Sequence, residues 1–382
     1  MKRLAIFSIY DKDGAINKYV DYYLLALKDV AENIIVVANG RVNQECVDRL
    51  NRITTKLYIR KNTGYDAGAY KDCIVNYIGI EKIREYDELI LINDTCYGPL
   101  KPFADIFNNM SEKLGDFWGI KKMNLGFLTY IQSWFLVFKK NILQDDRFYK
   151  YWVDYIKDDS CDIKDAYSRF EIGIYRYLTK CGYNSDVYVH GDNQVNVYKS
   201  SYYDLKSGIP FLKRKVFSDD AYTDSNAYYT LEYIREKSNY PLELILDDVK
   251  KKYNRIIDLE KLKYKCIQPD KCIVCSTIEW SEKMFLNILD KFKKLYIYGA
   301  GIWAYNIYVY LQSINRNIEA FIVSDSKTVK DIDGISVIKW NEIKLDTDCG
   351  IIVAMKIENS KQIYEKYNDN MQFIWLWKEL TQ

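Results

Sequence analysis

"ELILINDTCYGPL", residues 88–100, sets an apolar run, Leu89 to Ile92, directly against Asn93-Asp94-Thr95, with a Gly-Pro turn just beyond. A run of that length rich in Ile and Leu reads as an interior strand, and in open α/β sheets ligands sit beyond the carboxyl ends of the strands. Asp94 is therefore either a solvated turn residue accepting backbone hydrogen bonds or a side chain offered to a ligand.

The surrounding sequence repeats one rhythm. Apolar strands read at 3–9, 34–38, 56–60, 88–92 and 116–120, with amphipathic helical segments near 16–31, 43–52, 67–79 and 102–113 between them. Such alternation implies a mostly parallel sheet with helices on both faces. A strand over 132–138, helices to about residue 182 and the strand "SDVYV" complete a first unit, residues 1–205. Residues 206–268 change character, with "SGIPFLKRKVF" followed by helical stretches at 227–237 and 241–252, and read as a helical appendage or linker. A second α/β unit, 269–382, then runs through "KCIVCS", "KLYIYGAG", "NIEAFIVSD", "ISVI" and "GIIVAM".

Composition narrows the function classes. With 55 Lys and Arg against 53 Asp and Glu, the formal net charge of +2 gives no global field for nucleic acid. The first apolar stretch, in "MKRLAIFSIYDKDG", is too short for a signal peptide or a span, and no later run reaches ~18 apolar residues. A soluble, cytoplasmic protein is expected, compatible with peripheral contact at the inner membrane face. Nine cysteines without a framework spacing suit reduced thiols. Cys266, Cys272 and Cys275 fall one ligand short of a structural zinc site, and "KCIVCST" also reads as a buried strand.

"RKNTGYDAGAYKD", residues 60–72, places Gly64 and Gly68 in a turn that opens a helix, with Asn62 and Asp66 between them. Small residues let backbone approach a ligand, and Asp66 serves equally well as a helix cap. Taken in order, "IYDKDG", "NTGYDAGAYKD", "YDELILINDTCYGPL", "DFWGI", "IQSWFLVFKK", "FEIG" and "IPFLKRKVF" resemble the rhamnan synthesis protein F family of bacterial cell-surface polysaccharide assembly, over about residues 3–250. The chain also resembles, more broadly, glycosyltransferases of the GT-A fold.

That resemblance implies transfer of a sugar, rhamnose from a dTDP donor, to a growing glycan or a lipid-linked acceptor. A departing nucleoside diphosphate needs its charge neutralised, commonly by Mg²⁺ or Mn²⁺ on an Asp-x-Asp pair. Here the pair is Asn93-Asp94-Thr95, so Asp94 holds a cation alone or contacts the donor ribose or sugar. The GT-A pattern supplies an acidic base at a helix opening, here Glu171, suited to take the acceptor hydroxyl's proton during inversion. A glutamate in a first helical turn is equally favoured by the helix dipole. The pattern also places His190, the only histidine, as a candidate metal ligand, and Asp11, Asn62, Gly64, Asp66, Asn93 and Gln132 as candidate donor-site residues. The basic run 213–215 could meet anionic lipid headgroups or the diphosphate of a lipid-linked acceptor, but with fewer charges than a lipid-reading cluster it reads first as a solvated face.

In the second unit Gly299-Ala300-Gly301-Ile302-Trp303-Ala304 has the Gly-x-Gly-x-x-Ala form of a dinucleotide turn, with Asp325 closing the next strand. It resembles the Rossmann-like module of sugar acyltransferases, which implies a nucleotide-sugar or interaction role for Gly299, Gly301 and Asp325. The sequence thus supports a glycosyltransferase first. A catalytically silent nucleotide-sugar-binding assembly or sensor protein stands second, kept open by Asn93, and an NAD-dependent sugar-modifying enzyme third.

Overall fold

Apolar side chains alternate between two buried faces along each central strand of the first sheet, and that alternation builds the molecule. A computed structural model describes residues 1–125, 128–157, 167–190, 201–218, 226–265, 282–324, 330–343, 346–355, 357–367, 370 and 372–376. The chain divides into two units, Met1–Met123 with Tyr130–Val274, and Cys275–Gln382 with Asn124–Thr129.

In the first unit, β1 (Arg3–Ile9), β2 (Asn33–Asn39), β3 (Lys56–Arg60) and β4 (Glu88–Asn93) run parallel in the order β3-β2-β1-β4. The short β5 (Cys96–Tyr97) follows β4 outside this sheet. Beyond β4 the sheet continues through β6 (Phe117–Leu125), β7 (Leu128–Ile131), β8 (Phe135–Lys139) and β9 (Ser185–Val189). Strand β8 lies antiparallel to both β4 and β6, while β9 joins β6 in parallel. Ala5, Phe7, Ile90 and Ile92 face one core; Leu4, Ile6, Leu89 and Leu91 face the other. Period-two alternation with both faces covered is what a helix-flanked sheet requires.

The described parts of 206–268 are no appendage. β10 (Leu212–Lys213) pairs antiparallel with β5, and the helices Ala227–Lys237 and Leu242–Tyr253 pack Leu231, Ile234, Ile245 and Val249 into the same core as Phe7 and Ile90. The segment's apolar stripe is buried against the sheet, so it is part of the first unit. The helix expected over 67–79 is also corrected: an α-helix, Tyr65–Lys71, passes into a π-helix, Asp72–Tyr77.

The second unit holds β11 (Lys294–Tyr298), β12 (Ala320–Val323), β13 (Asp331–Ile332), β14 (Ile335–Lys339), β15 (Cys349–Val353) and β16 (Phe373–Trp375). Their order is β13-β14-β12-β11-β15-β16, parallel except for β13. Strand order therefore reverses at β11, the place where doubly wound sheets open a crevice. The strand "KCIVCS" and Cys266, Cys272 and Cys275 lie outside the described residues. The described cysteines 46, 73, 96, 181 and 349 are free thiols, and no described helix is long and apolar enough to cross a membrane.

Candidate active site

The carboxyl end of β4 gathers motifs that are far apart in the chain. Asn93 is buried; its amide donates to Asp66 at 2.8 Å and accepts from the Thr95 hydroxyl at 2.6 Å. Asp66 reaches this position because Gly64 and Tyr65 take left-handed backbone angles, φ 69° and 54°, as β3 turns into its helix. Gly68 lets that turn close: a Cβ there would stand 2.5 Å from the Thr63 carbonyl oxygen. Asp66 also accepts the Ala67 N–H at 3.0 Å. Burial pushes the Asp66 carboxyl above the usual range, opposed first by the Asn93 hydrogen bond. Asn62 forms no hydrogen bond among the described residues.

Asp94, next along the strand end, is already ion-paired. Its carboxylate accepts from Arg214 Nη1 at 3.1 Å and from the Tyr19 hydroxyl at 3.2 Å. Arg214 in turn grips Asp248 through Nε at 3.0 Å and Nη2 at 3.1 Å. Asp248, fully buried, also accepts from Tyr97 at 2.7 Å and Asn17 at 2.5 Å. The guanidinium lies 4.5 Å over the Tyr19 ring. Burial raises the Asp94 carboxyl, and Arg214 supplies the largest opposing pull.

The basic run 213–215 is therefore not a solvated face. The Arg214 N–H donates to the Thr95 carbonyl at 3.0 Å, and the 3₁₀ turn Arg214–Phe217 buries Arg214 while Lys215 stays exposed. Arg214 and Asp248 are the residues that sequence reasoning missed. A signal existed for Asp248: with Ile245 and Val249 it occupies the i, i+3, i+4 positions of a helical buried stripe.

Glu171 sits in a π-helix, Tyr167–Ile172, ahead of the helix Gly173–Lys180, and not in an α-helical first turn as expected. Its Oε2 accepts both the Ser133 N–H at 3.0 Å and the Ser133 hydroxyl at 2.5 Å. Oε1 has no partner among the described residues. Burial raises this carboxyl; Ser133, then Lys213, oppose the rise. The turn bearing Ser133 is joined to β4, since the Asn93 N–H donates to the Trp134 carbonyl at 3.4 Å. Gln132, in the same turn, is buried and accepts from Trp134 Nε1 at 3.1 Å.

The other expected residues have local partners of their own. Asp11 takes the N–H groups of Asp13 and Ala15 at 2.9 and 3.0 Å within its own loop. His190 is exposed and stands 3.3 Å from Asp186, not beside Asp94. The expected Mg²⁺ or Mn²⁺ site on Asp94 and His190 is thus not assembled, because Asp94 is occupied by Arg214 and His190 by Asp186. No group of three or more His, Cys, Asp or Glu among the described residues is placed to hold a metal ion. Among the described residues, the donor set around Asp94 does not fit a protein-held divalent cation. In the second unit Gly299 has φ 126° at the end of β11, Gly301 precedes the helix Ile302–Ser313, and Asp325 lies outside the described residues.

The family model described as Rhamnan synthesis protein F matches residues 34–294, more than half of the chain. An uncharacterized protein y4gN of Sinorhizobium fredii is 27% identical over 153 residues, covering 39% of either chain. The virulence protein VirA of Vibrio anguillarum is 26% identical over 227 residues, 56% of this chain and 68% of that one. The chain thus spans well under half of y4gN. Among solved structures, a cytidylyltransferase from Leptospira borgpetersenii aligns with a TM-score of 0.35 at 12% identity, covering 68% of this chain and 99% of its own.

Proposed function

The chain belongs to the rhamnan synthesis protein F family, and from that premise we propose that it is a glycosyltransferase moving a sugar from a nucleotide donor to a growing cell-surface polysaccharide. The donor is dTDP-rhamnose, the acceptor a lipid-linked or polysaccharide chain at the cytoplasmic face of the membrane, and the anomeric carbon is inverted. One observation carries the reading. Glu171 is held by two hydrogen bonds on one oxygen only, inside a setting that favours its protonated form. A general base needs that combination: an oriented carboxylate with one oxygen left to receive a proton, and a pKa moved towards the working pH.

In this scheme the Asp66–Asn93–Thr95 chain and the Gly64 turn face the donor, and the Gln132–Trp134 turn positions Glu171. Glu171→Gln keeps the Ser133 hydrogen bonds available and removes the proton acceptor. Transfer should fall by about 10²- to 10⁴-fold while donor affinity holds. Because burial raises this carboxyl, the acidic limb of kcat/KM should lie above the ordinary glutamate range, activity rising as pH climbs through it. Nearly whole activity in the variant would move the base elsewhere. Donor binding without transfer by the parent protein, across a broad acceptor panel, would favour the silent binder.

A further inference from the structure

We propose that Lys213 is the cation that receives the donor's diphosphate, in place of a protein-held divalent metal ion; the inference rests on the transferase reading above. Pairing of β10 with β5 sets Lys213 opposite Cys96 and Arg214 at Thr95. The two adjacent cations then part company. Arg214 is consumed by Asp94 and Asp248, whereas Lys213 Nζ reaches only the neutral Thr95 hydroxyl at 3.2 Å and lies 5.1 Å over the Trp134 ring.

Among the described residues no carboxylate lies within ion-pair distance of Lys213, and the residue is partly exposed, so a ligand can reach it. Its position is nonetheless acidic ground, since Asp66 and Glu171 both feel its charge against the burial that raises them. A cation fixed at a strand end without an anionic partner, above a hydroxyl that orients it, is furnished for an anion. A divalent ion at the same spot would meet its repulsion and would find Asn93 where a carboxylate is needed. Lysine binds phosphate as a point charge and asks for no particular fork geometry.

The step balances without a metal. The acceptor oxygen forms its bond to the anomeric carbon as the bond to the β-phosphate oxygen breaks. The electron pair of that bond stays with the phosphate, whose added negative charge Lys213 meets. The acceptor's proton goes to Glu171.

The test is calorimetric titration of the full chain with dTDP, UDP and GDP and with the matching nucleosides, in EDTA and in Mn²⁺. At least one diphosphate should bind in EDTA with an affinity that Mn²⁺ changes by no more than about threefold. Lys213→Met should weaken that diphosphate by about 10- to 100-fold, the range of a charge-assisted hydrogen bond, and leave its nucleoside unchanged. Lys213→Arg should recover most of the loss. Diphosphate binding that requires Mn²⁺ in the parent protein overturns this proposal and spares the transferase reading, and that arm needs no variant to fold. Wild-type affinity in Lys213→Met overturns it likewise. Absence of binding by every diphosphate in both buffers overturns the transferase reading with it.

Discussion

The chain leaves a parallel strand through a glycine turn in both units, at Gly64 and at Gly299, and the two turns are furnished differently. After Gly64 the nearest polar chemistry is ionic: Asp66, Asn93 and Thr95 form a hydrogen-bonded chain that ends at the Lys213 ammonium. After Gly299 the strand end shows a Tyr298–Ser324 hydroxyl pair at 3.1 Å and Tyr305 donating to Asp333 at 2.9 Å. Taken as isolated motifs, Gly-x-Gly-x-x-Ala is a recognised fingerprint and Asn-Asp-Thr is not; only the order of several motifs along the first unit put that unit first. A fingerprint records backbone need. Gly299 is required because a Cβ would stand 2.7 Å from the Ala354 carbonyl oxygen, whereas Gly301 faces open space.

The largest effect that sharpens this contrast is in the first unit. Arg214→Ala strands a fully buried Asp248 and removes the partner of Asp94, and breaking such a pair costs about 3–5 kcal/mol. Urea unfolding followed by first-unit tryptophans should show it; a loss below about 1 kcal/mol would mean that the cluster is only a surface-like pairing. Arg214→Lys should recover part at most, because one ammonium cannot reproduce the bidentate grip. In the second unit Gly299→Ala forces a side chain into φ 126° and against a carbonyl, at about 1–3 kcal/mol. Faster hydrogen exchange over 294–323 alone would report it. Gly301→Ala has an ordinary extended φ of −92° and nothing to strike, so it should stay within about 0.5 kcal/mol. Were Gly301→Ala as damaging as Gly299→Ala, packing would govern both glycines and the contrast would fail.

Strand positions were the legible part. β1, β3 and β9 have the bounds read from the sequence, and β4 differs by one residue; β1 and β4 are buried on both faces and say so in their composition, while the partly buried β3 and β9 show as short runs of β-branched, Leu and Tyr residues between polar flanks. The helix after Gly64 was legible as helix but not as an α-to-π transition, since an i+5 turn leaves no periodic mark of its own in six residues. Within the site, Asp66, Asn93 and Glu171 could be named individually, and their partners could not. Ser133 meets Glu171 across 38 residues and Arg214 meets Asp94 across 120, and no local pattern encodes pairs so distant. Three consecutive basic residues look alike on paper; only the pairing of β10 decides which one turns inward.

The ion cluster at the end of β4 also dictates when the site can come into being. Asp248 is held by Tyr97 and Asn17, 151 and 231 residues earlier in the chain. During synthesis the strands β1 to β4 emerge long before the helix that carries Asp248, so Asp94 waits without its full counter-charge. Contacts of such long sequence separation slow folding, because loop closure comes before the contact stabilises anything. The candidate site is thereby a late event: a chain stopped at residue 205 contains every strand of the first sheet and still lacks the arginine and the aspartate that lock its strand end.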